Sequence, residues 1–154
     1  MQKRQLLIAT ALAPFATARA HHGWSSFDDV TPIFLSGRAT KVSWKNPHVE
    51  LMLDASKSAL PSDFAARTVP AQTAPVNGPD LLQRAKLAPN LNRPWEIELA
   101  PLPRMQAWQI AEFAAGTAVE LLGYGLKDLN AKPVLRAEYL WVAGKTYALR
   151  SAPA

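Results

Sequence analysis

No cysteine occurs anywhere in the 154 residues. That excludes a disulfide framework, a thiolate metal site and thiol chemistry. It also removes the residue that would carry a lipid anchor behind a leader. Histidine is scarce too: the three copies are His21, His22 and His48, so all imidazole chemistry falls on them. No apolar run reaches the roughly 20 residues that a membrane-crossing helix needs. The G-x-S-x-G elbow, the H-E-x-x-H zinc helix and the phosphate-binding P-loop are all missing, so the sequence leans away from an enzyme.

The first twenty residues differ from the rest. Lys3 and Arg4 open the chain, a short apolar stretch runs from Leu6 to Ala18, and Ala18-Arg19-Ala20 has the A-x-A form of a signal-peptidase site. Residues 1–20 therefore read as a secretory signal and 21–154 as one mature domain exported to an oxidising compartment, best a bacterial periplasm. The plain alternative is a buried N-terminal helix. Loss of Lys3, Arg4 and Arg19 takes the 17 basic residues to 14 against 12 acidic ones, which lowers the net charge from +5 to +2. A charge of that size is no nucleic-acid footprint and no polybasic membrane anchor.

In the mature part, apolar residues recur with period two. "PIFLSGRATKVSWKNP" predicts a strand over about 33–44, with Gly37 marking a bulge or bend. "HVELMLD" predicts a strand with Val49, Leu51 and Leu53 inward and His48, Glu50, Met52 and Asp54 outward. Residues 55–93 hold five prolines (Pro61, Pro70, Pro75, Pro79 and Pro89) and read as a mobile insertion in a hairpin, with a helical turn near Leu81 to Leu87. "PWEIELA" resumes the strand code, with Glu96 and Glu98 expected to face outward. A helix is expected to begin near Pro103 and stop at Gly116, with Met105, Trp108 and Ala111 on one stripe. Further strands follow in "TAVELLGYG" and "VLRAEYLWVAGKTYAL", the last broken by a turn at Gly144-Lys145. The order β, β, long loop, β, α, β, β predicts a mostly β domain: a small five-stranded OB-like barrel with one short helix between strands three and four. A β-sandwich is the alternative.

"HHGWSSFD" behind the leader, "PIFLSGRATKVSWKNPHVELML", "WEIEL", the aromatic helix and "LRAEYLWVAGKTYAL" together resemble the DUF6152 family, whose members are small exported bacterial proteins. The resemblance spans nearly all of the mature chain except 55–93, where the family usually has a shorter connection. Its most specific parts are "AHHGW" and "WKNPH". The chain departs from the family pattern at Ala107-Trp108, where Gly-Trp is usual, and at Ala115-Gly116-Thr117, where Pro-Gly-Asp is usual. The family implies no settled activity.

Function rests on the histidines. Cleavage after Ala20 would give His21 a free α-amine beside its ring nitrogen, a bidentate chelate, and His48 would supply a third nitrogen in the tetragonal geometry that suits Cu(II). His22 is a competing ligand, and Met52, on the face of His48, offers a soft thioether suited to Cu(I). Cleavage after Ala18 would instead put His21 in position three, where amine, two amide nitrogens and one imidazole make a square-planar set. This pattern predicts a copper carrier or buffer with His21, His22, His48 and Met52 as metal ligands. Plainer roles exist for each: a frayed terminus for His21-His22, a turn cap for His48, packing for Met52. The second expectation is a non-catalytic periplasmic module that binds a partner protein or small ligand through Trp24, Trp44 and the Pro-rich loop. Asp28 and Asp29 read as solvated acids.

Overall fold

The computed structural model describes residues 23–154. The signal-peptide reading and the positions of His21 and His22 lie outside the described residues. No helix among the described residues is long and apolar enough to cross a membrane.

Among the described residues the fold is mostly β, with seven strands in one mixed sheet and two short α-helices. The strands are β1 (Phe27–Ser43), β2 (Glu50–Asp54), β3 (Lys86–Leu87), β4 (Trp95–Glu98), β5 (Ala118–Leu126), β6 (Val134–Val142) and β7 (Lys145–Ala148). The helices are α1 (Gly78–Arg84) and α2 (Leu102–Ala107). Strand β1 pairs antiparallel with β2 and β5, β2 with β4, and β5 with β6; β4 and β6 run parallel. These five pairings form a closed circuit, β1–β2–β4–β6–β5–β1. The short β3 adds to β1, and β7 folds back on β6.

Period two does its expected work inside the circuit. Ile33, Leu35, Val49, Leu51, Leu53, Trp95, Ile97, Leu121 and Leu140 form one buried cluster with Met105 and Ile110 beneath it. Strand β1 is longer than its sequence pattern suggests, beginning at Phe27 rather than near Ile33. The pairing of β1 with β2 shifts register between Ala39 and Lys41, which makes Thr40 the extra residue of a bulge. Gly37 serves a different need from the bulge expected there. A Cβ at Gly37 would lie 2.0 Å from the Asp54 carbonyl oxygen, so only glycine lets β1 pass the end of β2.

The insertion is a packed cover rather than a free loop. Phe64, Leu81 and Leu82 are buried against Phe34, Leu122, Tyr124 and Tyr139 on the outer side of β1, β5 and β6. Helix α1 forms where the turn was expected, slightly earlier in the chain. The Asn77 side chain accepts from the Asp80 amide at 3.2 Å, Pro79 sits in the first turn, and Asp80 pairs with Arg84. The prolines that break the strand code thus set the path of the cover.

Helix α2 stops well short of the expected Gly116. Gln109 has φ 52°, in the left-handed region, and the chain leaves the helix there. Tertiary contacts decide this early stop: Met105 and Ile110 are both buried, and the Trp108 indole nitrogen donates to the Ser151 carbonyl at 2.7 Å. Between β6 and β7 the turn residues are Ala143 (φ 51°) and Gly144 (φ 74°), one position earlier than expected. Two consecutive positive φ values match the type I′ geometry that suits a two-residue hairpin.

Candidate functional site

Strand β2 presents its two faces as its alternation requires. Val49, Leu51 and Leu53 are buried inside the circuit, while His48, Glu50 and Met52 are half-buried on the other face. His48 follows the cis Asn46–Pro47 bond and lies two residues before the start of β2. The Val49 amide donates to the Ala100 carbonyl, and the Leu99 amide donates to the Val49 carbonyl, so His48 is held level with Ala100. Met52 stands between Lys41 on β1 and Glu96 on β4, and Glu50 stands between Ser43 and Glu98.

Glu98 corrects the sequence expectation. It points to the outer side, as period two demands, yet it is only 2% exposed. Two nitrogens of Arg136 donate to Glu98 Oε2, at 2.9 and 2.7 Å. The guanidinium of Arg136 in turn lies under two rings, 4.6 Å from the Trp24 centroid and 4.3 Å from that of Phe27. A second arginine repeats the arrangement. Arg150 donates to Glu138 Oε1 and lies 4.3 Å from the Trp24 centroid. Trp24 therefore rests on two guanidinium groups, each braced from below by a buried carboxylate. Glu96, two residues from Glu98, remains half-buried and pairs with Lys132 at 3.0 Å.

Glu138 is the more strained of the two braces. It is 1% exposed, and its Oε2 is buried with no hydrogen-bond partner among the described residues. Burial pushes its carboxyl pKa above the ordinary glutamate value, and the Arg150 guanidinium opposes part of that shift.

The two tryptophans expected to form a contact surface are used in different ways. Trp24 is 45% exposed above its arginines. Trp44 is half-buried, meets Phe113 edge-on with centroids 5.4 Å apart, and donates from its indole nitrogen to the Phe113 carbonyl at 3.1 Å. Its face anchors the chain after α2. Among the described residues no three His, Cys, Asp or Glu side chains gather into a group able to hold a metal ion. Sequence reasoning missed Arg136, Arg150, Glu98 and Glu138 as a unit. The one signal available was charge recurring within an otherwise apolar strand, as in Leu-Arg-Ala-Glu-Tyr.

Neither a curated protein nor a solved structure matches the chain. Residues 9–74 match the model of DUF6152, a family of unknown function. The matched stretch contains the His-His-Gly-Trp and Trp-Lys-Asn-Pro-His segments, the whole of β1 and β2, and the beginning of the cover. On that match, residues 9–74 are similar to the DUF6152 family.

Proposed function

We propose that this protein is an exported metal carrier or buffer, best suited to copper, that binds through its mature N-terminus and His48. The observation that carries the reading is the anchoring of Trp24 on Arg136. Arg136 is in register with Glu98, and Glu98 with Glu50, two residues from His48. Two strand spacings across, about 10 Å, and two residues along β2, about 7 Å, put His48 about 12 Å from Arg136. An extended chain from Trp24 to His21 spans about 10 Å, and the side chains of His21 and His48 cover the remainder. The terminus therefore has the reach to bring its amine and ring to the face of His48.

The donor set fits the ion. Amine and imidazole nitrogens favour Cu(II), and the Met52 thioether on the same face favours Cu(I). His22 competes with His21 for the same role. The residues of this chain would bind and orient the ion; buffering or transfer needs no further chemistry from them. In the same reading the leader 1–20 directs the chain to the periplasm and is removed. The closed strand circuit, with its parallel β4–β6 pair and a helix between β4 and β5, supports a five-stranded OB-type barrel as the scaffold.

The test is Cu(II) titration of correctly processed protein, followed by electron paramagnetic resonance. Nitrogen hyperfine lines from amine and imidazole donors are expected, with loss of tight binding in the His21→Ala/His48→Ala double variant. Retained affinity in that variant overturns the proposal. A terminus beginning at Arg19, established by mass spectrometry, would move the chelate off His48: then His48→Ala alone would leave the spectrum unchanged.

A further inference from the structure

A cleft of about 1160 Å³ opens on the outer side of the sheet, just where the insertion stops covering it. Glu120 and Trp141 lie on its floor strands β5 and β6. Lys57 and Arg67 come from the insertion, Arg38 from β1, and Lys145 from the β6–β7 hairpin. Asp54 completes the charged lining.

The charges do not cancel. Arg67 is consumed internally: it donates to Glu120 Oε2 at 2.5 Å and lies 5.1 Å from the Phe64 centroid and 5.8 Å from that of Trp141. Asp54 accepts from the Ser56 amide at 3.0 Å, and hydrogen bonds from Ser56 hold its carboxyl below the ordinary range, with Lys57 adding to the shift. Asp54 is therefore ionised and offsets Lys57. Arg38 and Lys145 remain, both exposed, on different walls. Arg38 spends one N–H on the Gly116 carbonyl at 2.8 Å and keeps the rest of its five-donor fork.

We propose that this cleft binds a small organic polycarboxylate. Two uncompensated cations on separate walls match two anionic groups on one molecule. The volume matches a ligand of several carbons rather than a lone ion. The lining includes no helix N-terminus, the usual cradle of a phosphate, so recognition falls to side-chain cations, and the planar fork of Arg38 suits a carboxylate. The site uses none of the histidines and stands apart from the metal reading.

The experiment titrates metal-free full-length mature protein with propane-1,2,3-tricarboxylate at low salt. Calorimetry gives the affinity, and the NMR shifts of the Trp141 indole and the Gly144 amide locate it. Saturable binding is expected, weakened about tenfold in Arg38→Ala/Lys145→Ala. A Lys45→Ala/Lys86→Ala control removes the same charge from exposed positions outside the cleft and should bind as the wild type does. His21→Ala/His48→Ala should also leave binding unchanged. Absence of saturable binding, equal weakening in the two lysine and arginine pairs, or tighter binding of pyrophosphate than of the tricarboxylate would each overturn the proposal.

Discussion

The inner core around Trp95, Leu121 and Leu140 and the outer core around Phe34, Phe64 and Tyr139 share strands β1, β5 and β6 but are closed by different means. The inner core lies within the strand circuit, each strand contributing alternate residues, and Met105 and Ile110 pack against it. The outer core has a sheet on one side only. Its other side is the insertion, which supplies Phe64, Leu81 and Leu82 and is itself held by few regular elements. Phe64 is the pivot of that cover: it meets Phe34 at a centroid distance of 4.7 Å and Trp141 at 5.4 Å. One face is therefore closed by the fold itself and the other by a long connection, so the two should fail differently.

The sharpest way to break the comparison is to hollow out the inner core. Leu121→Ala removes a fully buried side chain at the pairing of β5 with both β1 and β6. A loss of about 4 kcal/mol is expected, read as one cooperative shift in chemical denaturation, because no strand of the circuit can yield alone. Phe64→Ala should cost less, about 3 kcal/mol, because the cover can settle into the space. Its signature is local. Amide hydrogen exchange should speed up over residues 64–84 while the protection of β4 and β6 persists. Uniform loss of protection would show that the two cores are one cooperative unit.

The smallest effect concerns the buried carboxylates at the rim of the outer face. Glu138 has a raised pKa because burial outweighs its pairing with Arg150. The folded state then holds that proton more tightly than the unfolded chain does, so stability contributed at low pH is lost as pH rises from the ordinary glutamate range through the raised value. Relative to wild type, Glu138→Gln should gain stability over that window. Paired urea titrations across the acidic range should show the two curves diverging upward from the ordinary glutamate range; parallel curves would remove Glu138 as the titrating group.

Part of this architecture could be read directly from residue order. Val49, Leu51 and Leu53, or Trp95 and Ile97, declare one face by alternation, and each went inside. The outer residues gave the same signal for two opposite fates. Glu96 and Glu98 are two apart on one strand, and nothing in "WEIEL" tells them apart. Glu96 faces Lys132 at the rim, whereas Glu98 is sealed by Arg136 with Trp24 and Phe27 above. The insertion misled for a related reason. Its prolines are legible as breaks in strand code, but a break says nothing about whether Phe64 and Leu81 find an apolar surface to cover.

The sequence by itself determined the order of the main strands, the inward set of side chains and the turn before His48. These depend on neighbours one to four residues away, where period and turn chemistry act. Only the tertiary structure decided that the outer face carries a second core, that Trp24 rests on two braced arginines, and that a cationic cleft opens beside the cover. Those features join residues 38 to 116, 67 to 120 and 98 to 136. Contacts at such separations exist only once the strand circuit has closed, because closure sets which distant side chains lose their water together.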